Sequence, residues 1–170
     1  MRYILMIIYR LYNESNMTHQ ITLPSGVILE SVAKTLIINE KNEALVLTIG
    51  EYKEHPEKSY TPDLPGGFAE IGDGETERQG AIREAEEEAG VVINPKDIIL
   101  AYSKTKFYEE QNKSVSSSLY IAHLDYTPDV VVSWEHASSE WIDVDMLLET
   151  KTFRPFYTEA IEYSIAHKLV

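Results

Sequence analysis

The chain has 170 residues, 44% of them apolar and 25% charged, which suits one soluble domain with room for a full hydrophobic core. Twenty-eight acidic against fifteen basic residues leave a net charge of −13, which speaks against a DNA or RNA partner, because nucleic-acid phosphates need a basic footprint. No cysteine is present, so disulfides and thiolate-held zinc or iron–sulfur sites are excluded; a reducing cytoplasm is compatible with that usage and is the location expected.

The apolar run Tyr3 to Tyr9 is far shorter than the roughly 20 residues that span a bilayer. No small-residue cleavage site follows it, so neither membrane attachment nor a signal peptide is expected. Met17 is a candidate start. Residues 1–17 therefore read as an N-terminal extension, with a single domain over 18–170.

Between Gln20 and Ile49 the pattern is extended. Ile21-Thr-Leu-Pro leads into a Ser25-Gly26 turn, and Ser31–Ile49 reads as a hairpin whose polar turn is Glu40-Lys-Asn-Glu43. Glu51 to Pro62 is charged and reads as a loop, with Lys53, His55, Lys58 and Tyr60 in it. It runs straight into the next stretch, so it is placed to overhang whatever binds there.

That stretch is Leu64 to Val91. Gly66 and Gly67, after Leu64-Pro65, allow a tight turn and the close approach of a bare backbone carbonyl to an ion or ligand. Thr76 and Gln79 form a capping box, and Gly90 sits where a helix stops in the left-handed conformation. Between these caps residues advance about 100° each. Glu84, Glu87 and Glu88 then share a face, Glu77 lies earlier on it, and Ile82, Ala85 and Ala89 fall opposite. Like charges at these spacings oppose an exposed helix by roughly 0.2–0.5 kcal/mol per pair, so a compensating cation is expected, and Mg²⁺ suits hard oxygen donors. A merely solvated acidic face is the alternative. Arg83 is placed to pair with Glu75 and brace the loop against the helix.

These residues resemble the box of the Nudix hydrolases: Gly, five residues, Glu, seven residues, then Arg-Glu-apolar-x-Glu-Glu-x-Gly-apolar. Glu75, the seven residues after it and Arg83 to Val91 match the second part position by position. Seven residues rather than five separate Gly67 from Glu75, and the extra pair is placed at Asp73-Gly74, as a longer bulge beside the site. The resemblance implies an α/β fold, the α/β/α sandwich with a mixed sheet. It also implies Mg²⁺, with Mn²⁺ as an alternative, held by the Gly66 carbonyl, Glu84, Glu87 and Glu88. Glu84 would orient or deprotonate the attacking water, while Arg83 and Glu75 hold the loop. The implied reaction cleaves the pyrophosphate bond of a nucleoside diphosphate linked to another moiety: a nucleoside triphosphate, a dinucleoside polyphosphate, ADP-ribose or a nucleotide sugar.

Past the helix, Val91 to Ile93 and Ile98 to Phe107 read as strands separated by an Asn94-Pro95 turn, and Val115 to Tyr126 as a further long strand. A short strand is expected around Ser139–Ile142, a short helix at Asp143–Leu148 and a last helix over Phe156–Lys168. Helices amid a strand-rich chain also suit a mixed sheet sandwiched between helices. The histidines lack ligand spacing, and His123 reads as a hydrogen-bonded sheet residue.

In parts of the resembled family a tyrosine some sixteen to eighteen residues past the box accompanies dinucleoside polyphosphate hydrolysis. Tyr108 lies seventeen residues after Val91. Glu135, with His136, is a candidate for the mouth of the site, a surface turn being the alternative. Family members often recruit one more acid, for which Glu109, Glu110, Glu135 and Glu140 are available. A nucleotide-sensing module that does not cleave its ligand would be expected to have lost a box acid or the arginine, and all are present. The expected partner is a nucleotide-derived small molecule, with no nucleic acid and no membrane, and the reading leaves room for a homodimer.

Overall fold

A computed structural model describes residues 19–170, so the extension read at 1–17 lies outside the described residues. The fold is built on β2 (Ile28–Ile38), whose second half is buried throughout, as expected for a strand covered on both faces. Along its whole length β2 runs parallel to β7 (Lys113–His123), from Ile28 opposite Lys113 to Ile38 opposite His123. β6 (Ile98–Tyr108) pairs antiparallel on the far side of β7. On the other side of β2 its end meets β3 (Glu43–Ile49), and β5 (Gly66–Phe68) pairs with its middle. β1 (Gln20–Thr22) folds back on β2, while β4 (Pro62–Asp63) and β8 (His136–Asp143) both pair with β3. The sheet is therefore mixed.

Each face of the sheet carries a helix. α1 (Glu77–Ala89) lays Ala81, Ala85 and Ala89 over Ala33, Ile37, Tyr120 and Ala122. Alternate residues Leu36, Ile38, Leu119 and Ile121 face the other way, toward Tyr157, Ala160 and Ile161 of α3 (Pro155–Ala166). A short α2 (Leu147–Thr150) precedes it, with Leu147 buried in the same layer. The α/β/α sandwich with a mixed sheet is thus present; of the hairpin expected over Ser31–Ile49 only the turn end forms, with Ile38 opposite Ala44, before the two strands part to other partners. His123 is held in β7, its Nε2 3.1 Å from the Leu169 carbonyl oxygen.

Two further expectations need correction. Val91 to Ile93 is not a strand. Val91 and Ile93 are buried, but they follow a chain reversal in which the Val91 N–H donates to the Ala85 carbonyl, so alternation here marks a loop anchored at two points. Second, the carboxylate row of α1 does not lie opposite the packed seam. Ala81 joins Ala85 and Ala89 in the core with Ile82 packed at its edge, and Glu84 and Glu88 are buried beside the alanines. Small side chains bring the helix so close to the sheet and the Gly66 turn that its flank is covered too.

Gly66 has φ +140°, and a Cβ there would run into the Ala33 carbonyl and stand 2.7 Å from the Lys34 Cα. A side chain is excluded by both backbone conformation and space. We expect Gly66→Ala to lose about 3 kcal/mol or more in urea unfolding. A loss below about 1 kcal/mol would show that the turn relaxes around an added methyl group.

Candidate functional site

The site forms where the Gly66 turn meets α1. The helix starts as its sequence dictates: the Thr76 hydroxyl accepts from the Gln79 N–H, and the Gln79 side chain accepts from the Thr76 N–H at 2.9 Å. It stops at Gly90, φ +70°. Between these caps Arg83 fans across the site. Its Nε and Nη2 donate to the two carboxylate oxygens of Glu75 at 2.9 and 3.1 Å, and Nη2 also donates to the Phe68 carbonyl at 3.0 Å. Its Nη1 donates to Glu84 at 2.8 Å and Glu87 at 3.1 Å. Arg83, Glu75, Glu84 and Glu87 are therefore one unit. Burial would raise the Glu75 carboxyl, but Arg83 and the Glu70 N–H hold it below the ordinary range.

The longer loop is absorbed without disturbing that unit. Ile71–Asp73 forms a single 3-10 turn closed by Gly74 at φ +83°, where a Cβ would meet nothing within 4 Å. The bulge points into open space and returns Glu75 to Arg83. The Glu70 N–H donates to Glu75 at 2.8 Å. Glu70 Oε2 is itself buried and has no hydrogen-bond partner among the described residues.

Glu88 takes a different partner, accepting from the Gly66 N–H at 2.8 Å. Burial pushes its carboxyl up to about 8, and the charge of Glu84 adds to this; Lys34 and the Gly66 N–H oppose it but do not win. Gly67 lies against Glu84, and a Cβ on it would fall 2.8 Å from a carboxylate oxygen. Both glycines of the lead-in are thus needed for backbone to touch carboxylate.

The donor set suits a hard divalent cation: carboxylates of Glu84, Glu87 and Glu88 beside a glycine carbonyl, with no sulfur or imidazole among them. Glu84 and Glu87 accept from one nitrogen of Arg83, so their oxygens already converge on a single positive charge. Among the described residues no three carboxylate or imidazole side chains stand ready as a closed cage. Glu84 and Glu87 are turned to Arg83 and Glu88 to Gly66, so holding an ion calls for side-chain rotation. Glu77 stands apart from the row, its oxygens accepting from the Ser31 and Ser118 hydroxyls at 2.5 and 2.6 Å.

Sequence reasoning missed the charge behind the turn. Lys34, 6% exposed, projects from β2 on the α3 side and donates to Asp63, Leu64 and Gly66. Arg154 donates to the other Asp63 oxygen at 3.0 Å and to the Tyr157 hydroxyl at 2.8 Å. Burial lowers the imidazole of His136, near this cluster, to about 4, so it is neutral at pH 7. The available signal was a lysine set among Val32, Ala33, Leu36 and Ile37 of one strand, which when buried requires a partner.

The remaining candidates lie outside this cluster. Tyr108 ends β6 opposite Lys113, which pairs with Ile28, whereas Gly67 pairs with Ala33. Five residues along the strands and three strand spacings across the sheet, from β5 through β2 and β7 to β6, place it about 22 Å away. Alternation puts Tyr102, Lys104, Lys106 and Tyr108 on one face of β6, with the Lys106 ammonium 4.7 Å from the Tyr108 ring centre. Glu135 occupies the turn before β8, where its carbonyl accepts from the Gly50 N–H at 2.8 Å. Glu140 pairs with Lys151 at 2.6 Å, and Glu109 and Glu110 lie in the 3-10 turn after Tyr108.

A mixed sheet between helices, with a double-glycine turn set against an arginine-braced row of glutamates, defines the Nudix class. The NUDIX domain model matches residues 29–163, and the chain belongs to that family. It is 34% identical over 91 residues to the bis(5'-nucleosyl)-tetraphosphatase [asymmetrical] of Caenorhabditis elegans, a match that covers 54% of this chain and 63% of that protein. Among solved structures it is similar to a MutT protein from Methanosarcina mazei Go1, with 26% identity, TM-score 0.66 and coverage of 82% of this chain and 96% of that one. It shares its fold with the C. elegans Ap4A hydrolase in a binary complex, at 24% identity and TM-score 0.61, over 82% and 97% of the two chains. Among the described residues no helix is long and apolar enough to cross a membrane.

Proposed function

We propose that the chain is a divalent-cation-dependent pyrophosphohydrolase acting on nucleoside diphosphate derivatives, with dinucleoside tetraphosphates, cleaved asymmetrically, as its preferred substrates. The observation that carries the reading is the Arg83 fan, which draws Glu75, Glu84 and Glu87 together beside Glu88 and the Gly66 turn. Glu84, Glu87, Glu88 and the Gly66 carbonyl would hold Mg²⁺ or Mn²⁺. When bound, such an ion neutralises charge developing on phosphate oxygens and lowers the pKa of water.

The chain's own residues supply the rest. Glu84, fixed between Arg83 and Gly67, orients the attacking water and accepts its proton. Arg83 and Glu75 hold the loop that carries this geometry. Lys106 gives an otherwise acidic chain local positive charge on β6, where Lys104 is neutralised by Glu159, and Tyr108 at its end offers a ring to a nucleoside base. Its distance from the turn suits a substrate with several phosphates between base and scissile bond. Glu135 is assigned to the mouth of the site, beside His136. The similarity to the C. elegans tetraphosphatase supports the same substrate class.

Diadenosine tetraphosphate, nucleoside triphosphates, ADP-ribose and a nucleotide sugar, assayed in parallel with product identification, test the reading. Diadenosine tetraphosphate giving AMP and ATP fastest is expected, and turnover independent of added divalent ion would overturn it. Millimolar Mg²⁺ should also raise the melting temperature, and Glu87→Gln should lose most of that rise. Equal shifts in the two proteins would remove Glu87 from the ligand set.

A further inference from the structure

We propose that Lys34, anchored by Asp63, is a positioning residue that fixes Gly66 for its meeting with the cation. The inference rests on the metal reading above and extends it to a residue outside the box, on the opposite side of the sheet from α1.

Gly66 has no side chain with which to pack, and it sits at a φ few residues adopt, so only its main-chain bonds determine where its carbonyl points. Its N–H is held by Glu88 from the α1 side, at 2.8 Å. Its carbonyl accepts from Lys34 Nζ, which reaches it from the α3 side. The same ammonium donates to Asp63 Oδ2 at 3.1 Å and to the Leu64 carbonyl at 3.0 Å, which uses all three of its N–H groups. Lys34 and Asp63 are both buried, so water does not compete for these bonds. Asp63 is fixed in turn by Arg154 Nη2 at 3.0 Å and by the Leu64 N–H at 2.9 Å.

Residues 63 to 66 thus wrap around one charged nitrogen. A buried ion pair is a poor device for stability, since two well-packed apolar side chains often serve as well or better. Its value here lies in direction: Lys34 holds the carbonyl on a fixed line while leaving the second lone pair of that oxygen for a ligand. The partners that orient a metal ligand commonly change metal affinity by about 10- to 100-fold when removed.

The test is Mn²⁺ binding, followed by the electron paramagnetic resonance of the free ion, on wild type, Lys34→Met, Asp63→Asn, the double variant and Glu88→Gln. Folding of each is checked by near-ultraviolet circular dichroism without metal. Folded Lys34→Met should bind Mn²⁺ about 10- to 100-fold more weakly. Asp63→Asn should weaken binding in the same direction, and the double variant should be no weaker than Lys34→Met, because Asp63 acts through Lys34. A purely structural role lowers the melting temperature and leaves affinity alone, so normal Mn²⁺ affinity in folded Lys34→Met overturns the proposal. If methionine at 34 prevents folding, unchanged affinity in Asp63→Asn overturns it instead. Wild type that takes up no Mn²⁺, or uptake indifferent to Glu88→Gln, would overturn the metal reading and this inference with it, an outcome distinct from failure at Lys34 alone.

Discussion

Glu88→Gln is expected to make the metal-free protein more stable at pH 8 while removing its cation-dependent turnover. Burial, with Glu84 adding, lifts the Glu88 carboxyl from an ordinary 4.5 to about 8. The folded state therefore holds this proton more tightly than the unfolded state. The resulting stabilisation is fully present below about pH 4.5 and is lost as pH rises through about 8. At pH 8 about half of the folded wild type carries a charge in this covered site, whereas glutamine has the same shape, no charge and an oxygen that still accepts the Gly66 N–H. Urea unfolding should show the variant more stable by about 1–2 kcal/mol at pH 8, with the gap closing by pH 5. Turnover should fall by about a hundredfold or more, because a carboxylate poised for the ion has been lost. A variant less stable than wild type at pH 8, or one that retains Mg²⁺-dependent product release, would contradict this account of Glu88.

The helix, its caps and the Arg83–Glu75 brace were legible in the sequence because each depends on residues close together in the chain. Thr76 and Gln79 mark the start, Gly90 marks the stop, and the span Glu77–Ala89 lies between them. The turn from Ile38 to Ala44 that joins β2 to β3 is local in the same sense. What was not legible depends on contacts made across the fold. The partners of Lys34 lie about thirty residues downstream, and nothing in Val32-Ala-Lys-Thr-Leu names them. Periodicity put the carboxylates of α1 together but misjudged the flank they border, because it cannot show how closely an alanine seam lets a helix approach a sheet. Val91 and Ile93 alternate as a strand would, yet the bond from Val91 to Ala85 turns them into a helix exit. The parallel pairing of β2 with β7, which sets Tyr108 relative to the turn, has no signature in either strand.

Arg83→Gln should show the opposite response to metal from Glu87→Gln. Burial disfavours the guanidinium charge, but the hydrogen bonds it donates to Glu75 and the charges of Glu84 and Glu87 hold it protonated above the ordinary arginine range. Removing it leaves three carboxylates facing one another and frees the Phe68 carbonyl. Arg83 is 27% exposed, so water screens part of the loss, and about 1–3 kcal/mol of stability should go. Turnover should fall about a hundredfold as Glu84 and Glu75 lose their fixed geometry. The same change removes the cation that competes for Glu84 and Glu87. Ligand binding stabilises in proportion to the logarithm of concentration over dissociation constant, so tighter Mg²⁺ binding means a larger rise in melting temperature. The Mg²⁺-induced rise should therefore exceed that of wild type, although the metal-free variant melts lower. A smaller rise than wild type would mean that Arg83 organises the ligands for the ion more than it competes with it. The carboxylate row would then need its arginine to bind metal at all.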